Sequence, residues 1–133
     1  MSDAVTDTHA LIWYLEDSPN LGTAANEIFK RCDRGEISIY IPTICLVEMV
    51  YLQEKGRISP NLKMQLDTEL RTSTTGFILA NLTDEVAEAV AKVSRTTVPD
   101  LPDRIITATS LHLGLPLISR DSKIRLAGIP LIW

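Results

Sequence analysis

The sequence predicts an α/β fold, a three-layer α/β/α sandwich around a mainly parallel central sheet. Short apolar stretches of strand composition alternate with helical stretches along the chain, the order produced by strand–helix–strand crossovers. The strand stretches are apolar throughout instead of at every second residue, which marks strands covered on both faces. The 133 residues are enough for one domain, 1–133, with a core that needs no staples.

Ala4-Val5-Thr6 reads as a short buried strand, and Thr8 to about Asp17 as a helix carrying Leu11, Trp13, Tyr14 and Leu15. Ser18 to Gly22 is a turn, and Thr23 to Arg34 has helical composition ended by Gly35. Ile37-Ser38-Ile39-Tyr40-Ile41 is the clearest strand, rich in β-branched and aromatic residues and closed by Pro42. A helix from about Thr43 to Lys55 follows and stops at Gly56. Ser59-Pro60 reads as an N-cap with Pro in the first helical position, opening a polar helix to about Arg71. Phe77-Ile78-Leu79 is a third strand. Thr83 and the acids after it open a helix with the stripe Val86, Ala89, Val90 and Val93, with Lys92 expected in its last turn. Ser94 to Pro102 reads as a loop, Asp103 to Leu113 as a helix ended by Gly114, and Leu117-Ile118 and Leu131-Ile132 as final strands.

Composition narrows the function. At 45% hydrophobic and 23% charged, the chain is an ordinary globular one. Cys32 and Cys45 are too few for a disulfide framework or a zinc site and read as buried or half-buried thiols of a reducing cytoplasm. Asp3 precedes the first apolar stretch with no basic region, which is not the pattern of a secretory signal. The uncharged run Ile105 to Ser119 is broken by Gly114 and Pro116 and is too short to span a bilayer. A net charge of −4 speaks against gripping nucleic acid by bulk positive charge, unless a metal ion supplies what the side chains lack.

Four acids stand out by position. In an open parallel sheet ligands bind beyond the carboxyl ends of the strands, where the strand order reverses. Asp7 ends the first strand, Asp121 follows Leu117-Ile118-Ser119, and Asp103 opens a helix that starts at that edge. Glu48 is the lone charge in the run from Ile37 to Leu52. Asp7 beside Thr8 also fits a helix N-terminal acid, Asp103 a capping arrangement with Asp100 around Pro102, and Asp121 an ordinary turn. Glu48 has no such ordinary place, because a carboxylate amid apolar residues must be neutralised, paired or metal-bound. Converging acids repel by roughly 4 kcal/mol per pair at ~4 Å and an effective dielectric of ~20. Such a cluster calls for a cation, and hard oxygen donors without Cys or His favour Mg²⁺ or Mn²⁺. An ion there orients a phosphate, activates a water and stabilises charge on a leaving oxygen.

The segments VTDTHALIWYL, IPTICLVEMVYL and PDRIITATSLHLGLPLISRD, in this order, resemble the PIN-domain ribonucleases, in particular the VapC-like toxins of bacterial type II toxin–antitoxin pairs. The resemblance reaches the closing GIPLIW. It implies a PIN-like α/β/α fold and a Mg²⁺- or Mn²⁺-dependent endoribonuclease acting in the cytoplasm on RNA. It also implies a small antitoxin partner and a homodimer. Its acidic quartet, catalytic and metal-ligating, falls on Asp7, Glu48, Asp103 and Asp121. Thr8 and Ser119 fall on supporting positions, Ser119 where the family orients the site by hydrogen bonding. Asp100 is an extra acid near the mouth, an N-cap or an outer-sphere ligand. His9 is open to a supporting role or to proton transfer. Arg104, Arg120, Lys123 and Arg125 cluster in sequence near the mouth, where they either guide RNA phosphates or are solvated charges. Apolar residues around Met49, Tyr51 and Leu52, or Trp13 and Tyr14, serve a partner contact or, more ordinarily, the core.

Other classes share the fold. A phosphoacceptor domain needs an acid after a middle strand, where this chain has Pro42-Thr43. A haloacid-dehalogenase-type phosphatase needs Asp-x-Asp, where this chain has Asp7-Thr8-His9. A non-catalytic PIN-like binding module is the remaining alternative, separated from the nuclease by whether the quartet binds metal.

Overall fold

The computed structural model describes residues 3–133. Its elements run β1 (Ala4–Thr6), α1 (Thr8–Leu15), α2 (Thr23–Asp33), β2 (Ile39–Pro42), α3 (Thr43–Glu54), α4 (Pro60–Thr72), β3 (Phe77–Ala80), α5 (Asp84–Val90), α6 (Leu101–Leu113), β4 (Leu117–Ile118), α7 (Ser122–Arg125) and β5 (Leu131–Ile132). All four strand pairings are parallel, in the order β3-β2-β1-β4-β5. This is the expected α/β/α class. Val5 pairs with Tyr40 on one side and Leu117 on the other, so β1 lies at the centre of the sheet.

The three residues of β1 are wholly buried, which requires cover on both faces of the sheet. Leu11, Phe29, Ile39, Ile41, Met49, Ile106, Leu117 and Ile118 form the deepest core. Tyr14 stacks on Phe29 at 4.6 Å and Phe29 meets Phe77 edge-on at 6.2 Å, joining α1 and α2 to the sheet edge. Cys32 and Cys45 are free and buried, as expected. Among the described residues no helix is long and apolar enough to cross a membrane.

Several boundaries differ from the sequence reading. Strand pairing in β2 starts at Ile39, because the amide of Ser38 is taken by the Asp3 carboxylate at 2.9 Å instead of a neighbouring strand. α5 ends at Val90, so Lys92 lies in the turn beyond it. Helix α6 begins two residues early, at Leu101: the Asp100 carboxylate caps the Asp103 amide at 3.1 Å, and Pro102 is harmless inside a first turn whose amides are unpaired anyway. The stretch after Asp121, given no element in the sequence reading, is the short helix α7.

Uniform apolarity did not mean uniform burial. β3 is an edge strand, and Ile78 and Leu79 are exposed. α3 buries only Cys45 and Met49, while Val47, Val50 and Tyr51 face solvent. Of the residues weighed between partner and core, Met49 belongs to the core and Tyr51 to the surface.

Candidate active site

β2 and β3 lie to one side of β1, and β4 and β5 to the other, so the chain changes winding direction between β1 and β4. The carboxyl ends of these two strands part there into a crevice. Asp7 follows β1 directly, and its amide is fixed to the Ile118 carbonyl of β4 at 3.1 Å. As N-cap of α1 its Oδ1 accepts the Ala10 amide at 2.9 Å. Asp121 follows β4 as N-cap of α7, taking the Lys123 amide at 3.0 Å. Ser119 lies between them: its Oγ accepts the Asp121 amide at 3.1 Å, and its hydroxyl is near enough to favour the ionised Asp7 carboxylate. Asp103, in the first turn of α6, completes a group of three around an open cleft of about 350 Å³, lined also by His9, Ala10, Trp13, Arg120 and Trp133.

Glu48 stands just off this lining. Its Oε1 accepts the Thr8 hydroxyl at 2.5 Å, which ties α3 to the start of α1. It is half-buried, so the expected wholly apolar setting is relieved by the exposed face of its helix.

Electrostatics joins what the lining leaves apart. Burial, above all, raises the Asp7 carboxyl, with Glu48 adding to the rise, while the Ala10 amide, Ser119 and His9 oppose it. The Asp103 carboxyl is pushed up to about 6 by burial and then by the charges of Asp100, Asp121, Glu48 and Asp7. Burial chiefly, with Asp7, Glu48 and Asp103 contributing, raises the Cys45 thiol beneath the cleft, whose Sγ points at the Thr6 carbonyl at 3.8 Å. The quartet thus shares one field. Among the described residues no three acids, histidines or cysteines stand in ligand positions around one point. The donor set still fits a hard divalent cation: it is all carboxylate, and burial raises Asp7 and Asp103 at a place where a cation would favour their ionised forms.

The other expected residues separate cleanly. Asp100 is the α6 N-cap and sits close enough to raise Asp103. Arg104 is structural: its Nη2 donates to the Val90 and Val93 carbonyls at 2.9 and 2.8 Å, closing the end of α5. Lys123 and Arg125 lie on exposed α7; the chain's second histidine, His112, which the sequence marked for no role, is exposed away from the cleft, beside Glu85, Glu88 and Lys92. Arg120 does reach the cleft, stacked on Trp13. The sequence reading missed Trp133 as a cleft residue. Nothing in the linear pattern joins position 133 to position 13, and only the β4–β5 pairing brings them together.

A parallel sheet with acids at its switch point defines a class of α/β proteins whose ligands sit beyond the carboxyl ends of the strands. The PIN domain profile matches residues 4–129, and the chain belongs to the PIN domain family. It is 24% identical over 130 residues to Ribonuclease VapC22 of Mycobacterium tuberculosis, covering 94% of this chain and 92% of that one. The structure of VapBC2 from Rickettsia felis bound to a promoter DNA fragment superposes with a TM-score of 0.67 at 13% identity, over 97% of this chain and 96% of that one. A toxin–antitoxin complex from Klebsiella pneumoniae gives 0.63 at 25% identity, over 98% and 96%.

Proposed function

We propose that this chain, 1–133 acting as one unit, is a Mg²⁺- or Mn²⁺-dependent endoribonuclease and the toxin of a type II toxin–antitoxin pair. The observation that carries the reading is the gathering of Asp7, Asp103 and Asp121 around one cleft at the switch point, with Glu48 beside them, where burial first and neighbouring acids second push Asp103 up to about 6. Asp7, Glu48, Asp103 and Asp121 would hold the ion, directly or through water. The ion supplies charge to bind and orient the phosphate, acidify a water and stabilise the leaving 3′ oxygen.

The chain's own residues do the positioning. The Ala10 amide holds the Asp7 carboxylate at the start of α1, and the Lys123 amide, with Ser119 accepting the Asp121 main-chain amide, holds Asp121. Thr8 fixes the Glu48 rotamer from α1, an outer-layer hydrogen bond of the kind that tunes a ligand's direction and basicity. Ionised Asp103 completes the site, so activity requires it to lose the proton that its neighbours favour.

The named relatives include a ribonuclease and toxin–antitoxin assemblies, which supports an RNA substrate and a small antitoxin partner. The exposed apolar face of α3, with Val47, Val50 and Tyr51, offers area for that partner or for a second copy in a homodimer. The test is cleavage of total cellular RNA with Mg²⁺ or Mn²⁺ and without. Cutting that needs the ion and falls by at least about a hundredfold in Asp103→Asn supports the reading. Metal-independent cutting, or an unimpaired variant, overturns it.

A further inference from the structure

The acidic cleft leaves open what grips the nucleic acid beside the ion. The chain's net charge is −4, and among the described lining residues Arg120 alone carries fixed positive charge. The wall beside the acids is aromatic. Trp13 and Trp133 meet edge to face, with centroids 5.8 Å apart and planes at 68°. His9 lies 5.8 Å from Trp13 at 53°, and the Arg120 guanidinium lies 4.7 Å from the Trp13 ring centroid. All four line the cleft that holds Asp7, Asp103 and Asp121.

The backbone holds this corner in place. The main-chain oxygen of Trp133 accepts the Ala24 and Ala25 amides at 3.0 and 3.3 Å, at the start of α2, which has no side-chain cap. The indole lies against Gly22, where an added Cβ would stand 2.5 Å from Cδ1. Both tryptophans rest partly on the core and turn their remaining surface to a polar cleft. Such a platform is already ordered, so little freedom is lost when a flat ligand arrives.

We propose that the Trp13–Trp133 corner, with His9 and Arg120, is a stacking subsite that takes the base of the nucleotide next to the phosphodiester being cut. The inference rests on the ribonuclease reading of the cleft and deepens it. Stacking needs a π-face and no bulk positive charge, which suits an acidic protein. In a duplex the base faces are covered by their neighbours, whereas in loops and single strands they can splay out. Arg120 supplies the cation for the phosphate of the stacked nucleotide.

Trp13 and Trp133 are the only tryptophans in the sequence, so all tryptophan emission reports on this corner. A single-stranded RNA nonamer containing all four bases, and its duplex, would be titrated with Mg²⁺ into the native chain, with emission read within the first turnover, so that both the indoles and the four acids are kept. In parallel, kcat and KM for the single strand would be measured in the otherwise native chain and in Trp133→Leu and Arg120→Ala, with melting temperatures confirming that each variant is folded. The proposal expects quenching by the single strand and little by the duplex. It also expects KM to rise about tenfold in Trp133→Leu, and to rise in Arg120→Ala, with kcat nearly kept. Equal quenching by both forms, no quenching, or unchanged KM in both variants overturns it. If cleavage of RNA persists in those cases, only the stacking subsite falls; if no metal-dependent cleavage occurs at all, it falls together with the ribonuclease reading.

Discussion

At Asp103 two demands oppose each other. The folded chain without metal favours the protonated acid, whereas binding a cation requires the carboxylate. The sign follows from the direction of the shift. With the folded group at about 6 against an ordinary 3.8, its contribution to stability is complete below about pH 3.8 and is lost as pH rises through about 6. Asp103→Asn is neutral throughout and escapes that loss. In EDTA its melting temperature should match the native chain near pH 4 and exceed it by about 4 °C above pH 7. That shift corresponds to a change on the order of 1 kcal/mol in a domain of this size, allowing for screening at a partly exposed group. Thermal scans across pH check this; a variant less stable than the native chain at pH 7 would show that Asp103 does not carry the repulsion. A variant that is more stable and inactive fits a site built against stability for a ligand's sake.

At the scale of elements, the junction of α5 and α6 depends on Arg104, whose guanidinium spans the Val90 and Val93 carbonyls. Arg104→Ala should cost about 2–3 kcal/mol, as expected for losing charged hydrogen bonds in a partly buried setting, and leave KM for RNA unchanged. Urea unfolding and steady-state cleavage separate the two effects; a raised KM with full stability would return Arg104 to the substrate. The strands and most helices were legible because their cues are local: Ser59-Pro60, Thr83, and Gly35, Gly56 and Gly114, all three with positive φ. The start of α6 was not, because Pro102 reads alike as a helix breaker and as a first-turn residue. The convergence of Asp7, Asp103 and Asp121 on one cleft was legible because acids that follow the strands of a parallel sheet, or open helices leaving them, share its carboxyl edge. The exposed faces of β3 and α3 were not, because an apolar run does not reveal which of its residues meets an edge of the sheet. Trp133 belongs to a contact that exists only after β5 pairs with β4.

For the whole molecule, the distribution of charge decides how RNA is held. A net −4 and one fixed cation in the cleft lining leave few counterions to release. At constant Mg²⁺, the slope of log K against log monovalent salt for a single strand should be shallow, about −1, since each neutralised phosphate contributes about −0.7. Filter binding measures it, and a slope of about −4 would place RNA on a basic surface away from the acids.

The central claim, that the four acids form a divalent-cation site, is tested most directly by the melting temperature with and without Mn²⁺ in the native chain and in Asp103→Asn. A cation that binds only the folded state must stabilise it, by about 2.7 kcal/mol at a hundred times its dissociation constant. The account predicts a rise with Mn²⁺ in the native chain that is lost in Asp103→Asn, whose metal-free value starts higher. No rise at millimolar Mn²⁺ in the native chain, or the same rise in both, would contradict it.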